Sequence, residues 1–362
     1  MECFITQSGS FLPGPPVDND GIEKHLGSLD DEAEVKKTVL RMNGIVRRHY
    51  AQDVHQRPTH DVYDLACEAV KACHAKRSID SRVSYLAAGT TYAPLGGPGI
   101  ASILHAQLMR EALLSKPVEI SSHSGICTSA AAAMVSAIRA VGAGEHDSAI
   151  CVGAEHPSSA LKAGAIQPVD DRAEHADIRK SRWFMSVFLR FMLSDGAGAF
   201  LVERQPKRDG LSLQVNWTHS MSFANETPLC MSLENQGIVI SQDISILSRY
   251  LVPTARKFVT QALETHDDSI DSYRIILPHL SSFFFRKKME RVIKEHSIDR
   301  CTLVPYWTNL ATAGNTGSAS IYIMLDQYLE QNSIVDGDKL LLFIPESGQF
   351  NYVMVSLTAV TG

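Results

Sequence analysis

Short apolar runs alternate with amphipathic stretches along the whole chain, and this alternation is the first guide to its fold. The apolar runs predict buried strands, because a strand inside a sheet is covered on both faces. The predicted strands are residues 4–11, 83–88, 118–120, 148–153, 200–203, 211–216, 274–277, 301–304, 340–344 and 352–358. Apolar residues spaced three and four apart predict helices between them. The predicted helices are residues 18–29, 31–42, 60–74, 102–114, 128–141, 244–265, 283–296 and 318–330. This order predicts an α/β protein.

A charged segment that contains Pro and Gly, residues 204–209, separates two stretches with a similar order of elements. We therefore expect two similar halves, residues 1–205 and 206–362, as an internal duplication would produce. The basic and aromatic residues 47–50 are interpreted as a solvated or subunit-contact loop.

The helix predicted at 128–141 contains no Gly or Pro, and nearly all of its side chains are small or apolar. Such a helix is typical of one buried on all sides, and Gly142 and Gly144 are expected to end it. Cys127 stands at its first turn, where the helix dipole and unpaired backbone N–H groups favour a thiolate. The same N–H groups could hold an oxyanion. The alternative is a cysteine that only fills space.

Three further polar residues stand where predicted strands end or helices begin, which is where active residues gather in open α/β sheets. Glu155 follows the strand at 148–153 and is a candidate acid or base, or else a salt-bridged loop residue. His279 follows the strand at 274–277, and Asn315 precedes the helix at 318–330. Each alone is more often structural. Together with Cys127 they could supply a thiolate and two hydrogen-bond donors to one carbonyl oxygen.

Composition narrows the classes of function. The 362 residues are 44% apolar and 20% charged with a net charge of -6, which argues against a nucleic-acid partner. No secretory signal and no apolar run long enough to span a membrane is apparent. Seven scattered cysteines without a CxxC pair predict neither a disulfide framework nor a metal site. We expect a cytoplasmic enzyme without membrane contact.

Four blocks of the sequence together resemble the β-ketoacyl-acyl carrier protein synthase III branch of the thiolase-fold condensing enzymes. The blocks are residues 127–153, DGAGA at 195–199, Pro278-His279, and GNT at 314–316. The resemblance implies a five-layered αβαβα thiolase fold, a homodimer, and substrates carried as acyl carrier protein or coenzyme A thioesters without another cofactor. It also implies that Cys127 carries the acyl group while His279 and Asn315 stabilise the enolate or oxyanion of a Claisen condensation. The N-terminal half would hold Cys127, and the C-terminal half His279 and Asn315.

Departures from the family pattern indicate a specialised member. The family's PHQAN motif is PHLSS here, and its C-terminal Gly-rich turn is Glu346-Ser347-Gly348. The backbone N–H groups of Cys127 and Ser347 would form the oxyanion hole. The opening FLPGPPVDN resembles the ketosynthase/cyclases that make dialkylresorcinols and cyclohexanediones. That resemblance implies that an acyl group is joined to a β-ketoacyl carrier protein and a ring then closes, with Glu155 nominated as the additional base.

Because a carrier protein is acidic, its docking face should be locally basic. The candidates are Arg256, Lys257, Arg286, Lys287 and Lys288, which could equally be solvated helix faces. Two other functions stay open: an acyltransferase to oxygen or nitrogen, and a synthase that initiates fatty acid synthesis. The intact Cys-His-Asn set argues against a non-catalytic partner subunit, and the spacing of the four blocks argues against an unrelated Cys-His hydrolase.

Overall fold

The computed structural model describes residues 2–30, 32–79, 83–177, 181–234 and 239–362. In this part of the chain the strands are β1 (Phe4–Phe11), β2 (Val17–Asp18), β3 (Arg47–Arg48), β4 (Tyr85–Thr90), β5 (Glu119–Ser124), β6 (Ser148–Glu155), β7 (Gly196–Glu203), β8 (Leu211–Ser222), β9 (Met231–Glu234), β10 (Val239–Gln242), β11 (Ile275–Pro278), β12 (Lys339–Pro345) and β13 (Asn351–Thr361). The α-helices are α1 (Ile22–Leu26), α2 (Glu32–Asn43), α3 (Val62–Lys76), α4 (Ile100–Arg110), α5 (Ser129–Ala143), α6 (Ala163–Ile166), α7 (Arg182–Arg190), α8 (Ile244–Thr265), α9 (Arg286–His296), α10 (Leu310–Ala313) and α11 (Ser320–Gln331). The predicted α/β class is confirmed.

Nine of the described strands form one sheet in the order β11-β12-β13-β8-β1-β7-β6-β4-β5. The strands from residues 206–362 occupy one end and those from residues 1–205 the other. The two ends meet where β1 pairs with β8, with Phe4 opposite Gln214. Strand β6 is buried and runs parallel to β4, as its apolar sequence predicted. An internal duplication of the two halves stays a prediction.

The side chains of the strands point alternately into different hydrophobic cores. On β6, Cys151 faces a central core and Ile150 an outer one; on β12, Leu342 faces the central core and Leu341 the opposite outer one. Helices α5 and α11 fill the central core. Helices α3 and α4 cover one outer face, and α8 and α9 cover the other. The layers are therefore αβαβα, as expected.

Helix α5 is buried over most of its surface, and Arg139 and Ala143 are its exposed residues. It continues through Gly142, which was expected to help end it, and stops at Gly144, which has a left-handed backbone (φ 81°) as predicted. Its first turn lies directly against β4 at Gly89, where a Cβ would stand 2.5 Å from the carbonyl oxygen of Ser129. This close approach fixes the turn that carries Cys127 against the sheet.

The prediction of a strand at residues 301–304 is wrong. The backbone N–H groups of Cys301 and Thr302 donate to the carboxylate of Asp299, at 2.8 and 2.7 Å, and not to a neighbouring strand. The chain reaches β11 only later, where it forms an isolated bridge between Ile276 and Tyr306. An apolar run was therefore not sufficient to predict a strand, because the donors that would build it were used locally.

The interpretation of residues 47–50 as a solvated or subunit-contact loop is wrong for residues 48–50, which are buried within the chain, whereas Arg47 is exposed. Arg48 is fully buried and Tyr50 is 2% exposed. The guanidinium of Arg48 donates to the carbonyl oxygen of Phe191 and, at 2.7 Å, to the side-chain oxygen of Asn19. Its donors are thus satisfied inside the protein, which makes burial of the charge tolerable.

Helix α7 and the hairpin of β9 and β10 were not predicted. Helix α7 is buried on nearly all sides, with Trp183, Met185, Val187 and Leu189 among its buried residues and Arg182 exposed. The hairpin is short and mixes polar with apolar residues, so its sequence lacks the continuous apolar run used to find the other strands. Both elements contribute walls to the cavities described below.

None of the helices in the described ranges is long and apolar enough to cross a membrane. Among the same residues, no three His, Cys, Asp or Glu side chains form a group that could hold a metal ion.

Candidate active site

Cys127 lies in the turn between β5 and α5, two residues before the helix begins at Ser129. Burial raises the pKa of its thiol well above the ordinary value, and the carboxylates of Glu346 and Glu155 raise it further. The prediction that the helix start would favour a thiolate is therefore wrong. At neutral pH the resting residue is a neutral thiol.

A carboxylate from the other half of the chain occupies the start of α5. The backbone N–H of Thr128 donates to Oε2 of Glu346 at 3.0 Å, and the Thr128 hydroxyl donates to the same oxygen. Asn351 supports this contact by donating to the Thr128 hydroxyl oxygen at 2.8 Å. Since Glu346 takes the place that the dipole offers to an anion, the helix gives less support to a thiolate on Cys127.

His279 directly follows β11, and its backbone N–H donates to the carbonyl oxygen of Phe343 at 2.8 Å. The side chain is 3% exposed, and neither ring nitrogen has a hydrogen-bond partner among the described residues. Burial lowers the pKa of His279 to about 4, so the ring is neutral at neutral pH. A neutral ring with both nitrogens free can donate one hydrogen bond to a bound molecule and accept another.

Asn315 lies in the turn between α10 and α11, where its Oδ1 accepts a hydrogen bond from the backbone N–H of Gly317 at 3.0 Å. This contact orients the amide so that Nδ2 is the group available to donate to a bound molecule. The backbone of Asn315 is fixed as well, because its N–H donates to the carbonyl oxygen of Met192 at 3.1 Å.

Glu155 ends β6 and is 5% exposed. Its Oε1 accepts hydrogen bonds from the backbone N–H groups of Thr91 (3.0 Å) and Ser318 (3.1 Å) and from both of their hydroxyls. Burial nevertheless raises the pKa of this carboxyl. Gly317 is needed beside it, because it has φ 54° and its Cβ would stand 3.2 Å from Oε1. Because these four bonds hold Oε1, Oε2 is the oxygen that can exchange a proton with a bound molecule.

Two apolar cavities meet at Cys127. The larger, which we call the helix cavity, has a volume of about 1260 Å³ with its mouth included. It is lined by Cys127, His279, Phe188, Ala255, Val292 and Phe343, among others. The second, which we call the hairpin cavity, has a volume of about 790 Å³, also with its mouth included. It is lined by Cys127, Glu155, Asn315, Ala160, Met231 and Ile240, among others. Every predicted catalytic residue therefore lines one or both cavities.

Ser347 also lines both cavities. Its turn is held from the side by Gln242, whose Nε2 donates to the Ser347 hydroxyl oxygen at 3.0 Å. The structure thus brings the turn predicted to complete the oxyanion hole to the same place as Cys127.

The predicted docking residues differ in their surroundings. Three of them pair with a glutamate of the same chain: Arg256 with Glu295, Lys257 with Glu226, and Arg286 with Glu290. Lys287 is exposed. Lys288 lies at the rim of the helix cavity, with its Nζ 5.3 Å from the ring centroid of Phe284. The rim therefore offers a cation directly beside the entrance.

Glu155 could be predicted from the sequence as a candidate, but the residues that hold its carboxyl group could not, since Ser318 is 163 positions away. Glu346 was visible only as a replacement in the family's glycine-rich turn. That departure from the family pattern was the signal in the sequence that this turn does more than complete the oxyanion hole.

Comparison with known proteins assigns the fold. No family model matches the chain. The β-ketoacyl-acyl carrier protein synthase III of Acholeplasma laidlawii is 23% identical over 356 residues, which cover 96% of each chain. The solved structure of AbyA1, a tetronic acid condensing enzyme, superposes with a TM-score of 0.77 at 18% identity, covering 98% of this chain and 99% of that one. Xanthomonas campestris OleA superposes with a TM-score of 0.77 at 19% identity, covering 99% of this chain and 98% of that one.

The chain has the thiolase fold. Its sequence is similar to the synthases III over nearly its whole length, as the four blocks indicated. In this thiolase fold the half with residues 1–205 supplies Cys127 and Glu155, while residues 206–362 supply His279, Asn315 and Ser347.

Proposed function

We propose that the protein is an acyl-thioester condensing enzyme that joins an acyl group on Cys127 to a β-ketoacyl group on a carrier protein and then closes a ring. The observation that carries the proposal is the position of Glu155. A buried carboxyl with a raised pKa lines the same cavity as Cys127 and Asn315, within a fold shared with condensing enzymes. A carboxyl of this kind is suited to remove a proton from carbon.

In the first step the neutral Cys127 thiol attacks the incoming thioester. The acyl group passes to sulfur, and the thiol proton ends on the departing carrier thiol. His279 can relay that proton, because its ring is neutral and both nitrogens are free. Backbone N–H groups of Cys127 and Ser347 would stabilise the oxyanion.

In the second step C2 of the β-ketoacyl group loses a proton and attacks the acyl carbonyl on Cys127. A carbon–carbon bond forms, the carbon–sulfur bond to Cys127 breaks, and the proton ends on the Cys127 thiol. His279 and Asn315 would donate hydrogen bonds to the enolate oxygen. In the ring-closing step Glu155 takes a proton from the γ-carbon of an α,β-unsaturated donor chain. This carbon attacks the carrier thioester and closes a six-membered ring, and the expelled carrier thiol receives the proton from Glu155. No oxidation or metal is required.

A carrier protein partner is supported by the rim of the helix cavity, where the Lys288 ammonium and the exposed Lys287 could meet an acidic surface. A homodimer is proposed from the resemblance alone. A reducing cytoplasm suits the protein, since all seven cysteines are free thiols.

Two variants test the proposal by intact-protein mass spectrometry and product analysis. Cys127→Ala should accept no acyl group from any thioester, whereas Glu155→Gln should be acylated normally and lose the cyclic product. Normal acylation of Cys127→Ala would exclude Cys127 as the carrier. Unchanged cyclic product from Glu155→Gln would remove Glu155 from the mechanism. An ester or amide product without a new carbon–carbon bond would instead identify an acyltransferase to oxygen or nitrogen.

A further inference from the structure

His156 is a titratable residue of the hairpin cavity to which the proposed mechanism gives no role. It directly follows Glu155, and both residues line this cavity. Within a strand the two side chains would point to opposite faces. His156 is the first residue beyond β6, however, and its ψ of 56° is far from the value of about 135° in a strand. The turn at the end of β6 therefore brings two ionisable side chains to one cavity.

The imidazole of His156 is nearly enclosed, with 11% of the side chain exposed. Its Nε2 atom is buried and has no hydrogen-bond partner among the described residues. Oδ2 of Asp195 lies 3.9 Å from Nε2, which is too far for a hydrogen bond but close enough for two charges to interact. Because Nε2 is on the side of Asp195, Nδ1 is the nitrogen that remains for a molecule bound in the cavity.

The carboxylate of Asp195 is held in place behind the ring. It is fully buried and accepts hydrogen bonds from the backbone N–H groups of Ala51 (2.6 Å) and Ser158 (2.9 Å) and from the Ser158 hydroxyl. Burial raises the pKa of the Asp195 carboxyl, and a positive charge on His156 opposes this effect. An imidazolium ring at His156 would thus face a fixed acidic group of opposite charge.

Ring closure has to manage two protons, and one carboxyl group can hold only one of them. After condensation, C2 of the acceptor carries a hydrogen between three carbonyl groups, so this hydrogen is more acidic than the γ-hydrogen of the donor chain. A base in the cavity therefore takes the C2 proton first. If Glu155 took it, Glu155 would be protonated and could not remove the γ proton.

We infer that His156 is a second catalytic base, which holds the C2 proton of the condensed intermediate while Glu155 removes the γ proton. The C2–H bond breaks, the proton moves to Nδ1 of His156, and the electron pair stays on the intermediate as an enolate. The imidazolium, with Asp195 behind it, offsets the charge of this enolate before the second carbanion forms. Once the ring has closed, Nδ1 returns its proton to the product. This inference rests on the proposed function and adds the group that permits two deprotonations in one cavity.

His279 is a second imidazole beside Cys127, but its surroundings suit it less to this role. It lines the helix cavity, whereas Glu155 and His156 line the hairpin cavity. Burial lowers the pKa of His279 to about 4, so its ring resists protonation. A hydrogen bond from its neutral ring, as proposed for the condensation, does not require a proton to be gained.

The experiment compares a β-ketoacyl carrier protein with its 2-methyl form as the acceptor. Condensation consumes the one C2 hydrogen of the 2-methyl acceptor, so its intermediate has no C2 proton left. His156→Gln should be acylated normally on Cys127 and should close the ring of the unbranched intermediate about 100-fold more slowly or worse. It should close the ring of the 2-methyl intermediate nearly as fast as the unmodified enzyme. Glu155→Gln should fail with both acceptors, because the γ proton must leave in either case.

His175→Gln is the matched control, because it also removes an imidazole that lies beside a carboxylate. Nε2 of His175 is 3.3 Å from Oδ2 of Asp171, and His175 lines neither cavity. This variant should close the ring of both intermediates like the unmodified enzyme. A second measurement uses His156→Ala, which leaves space for free imidazole. Added imidazole should restore ring closure with the unbranched acceptor in proportion to its concentration.

The outcomes separate this inference from the function on which it rests. If the unmodified enzyme forms no cyclic product from the β-ketoacyl acceptor, the proposed function fails. If it forms that product but His156→Gln slows ring closure equally with both acceptors, or with neither, the inference is overturned. If the enzyme does not condense the 2-methyl acceptor, the imidazole measurement decides: restored ring closure in His156→Ala supports a base at this position, and no restoration overturns it.

Discussion

Replacing Glu346 with Gln should make the Cys127 thiol more acidic, because it removes a negative charge near the sulfur and preserves the size of the side chain. Hydrogen bonds from the backbone N–H and hydroxyl of Thr128 fix this carboxylate one residue from Cys127. Neighbouring charges in a protein interact by roughly 3 kcal/mol at an effective dielectric constant of about 20. That energy corresponds to about two pKa units. Burial raises the pKa more than Glu346 does, so the thiol of the variant stays less acidic than a free cysteine.

The assay is the rate of alkylation of Cys127 by iodoacetamide as a function of pH. Cys127→Ala measures the background from the other cysteines, of which Cys301 is exposed. The apparent pKa should fall by one to two units in Glu346→Gln, roughly as the charge calculation requires. Glu346→Asp keeps the charge and should give a smaller change. An unchanged pH profile in Glu346→Gln would refute the view that this carboxylate opposes the thiolate.

Two further predictions concern charge at the site and at its rim. His279→Asn should remove a loss of stability at low pH. Burial lowers the pKa of His279 from 6.5 to about 4, so the folded state resists protonation of the ring. The free energy of unfolding therefore falls as the pH decreases from 6.5 to about 4. The difference between pH 7 and pH 5 is about 2 kcal/mol, so urea unfolding of the variant should depend less on pH, and equal dependence would contradict a buried neutral ring. Lys288→Ala should raise KM for carrier-bound thioesters about threefold or more with little effect on a small soluble thioester, whereas Arg256→Ala, whose charge is already paired with Glu295, should change KM less; equal effects would remove the rim from docking.

The pattern of apolar residues was sufficient to predict the α/β class and most of the strands and helices, because each strand and helix carries its own pattern of burial. The five layers were implied by the family resemblance. Helix α5 illustrates the local signal: its small apolar residues predicted its burial, and the glycines that follow predicted an end close to Gly144. The prediction of a strand at 301–304 was wrong because a strand also needs a neighbouring strand to accept its backbone N–H groups, and Asp299 accepts two of these N–H groups instead. The prediction of a solvated loop at residues 47–50 was wrong for the opposite reason: the carbonyl oxygen of Phe191, distant in sequence, accepts hydrogen bonds from Arg48 and makes its burial possible.

The positions of Cys127, His279 and Asn315 could be predicted, but the protonation state of the thiol could not. Local sequence offered a helix start and therefore a thiolate. The opposing carboxylate of Glu346 reaches Thr128 from 218 residues away, and the burial that dominates the pKa arises from both halves of the chain. Quantities set by long-range packing are not contained in a motif.

A neutral thiol on Cys127 is consistent with the proposed chemistry when the whole cycle is considered. Surroundings that disfavour a thiolate disfavour neither the neutral thiol nor the uncharged thioester, so both the free and the acylated state of Cys127 suit this site. The same surroundings make expulsion of a bare thiolate costly during condensation, and the leaving sulfur must therefore gain a proton as the carbon–sulfur bond breaks. Glu155 has a raised pKa and lines the cavity that contains Cys127, so a proton taken from carbon can be held there and returned. On this argument Glu155→Gln should slow release of the condensed product from Cys127 as well as ring closure, and an accumulated acyl-enzyme under turnover would show it by mass spectrometry.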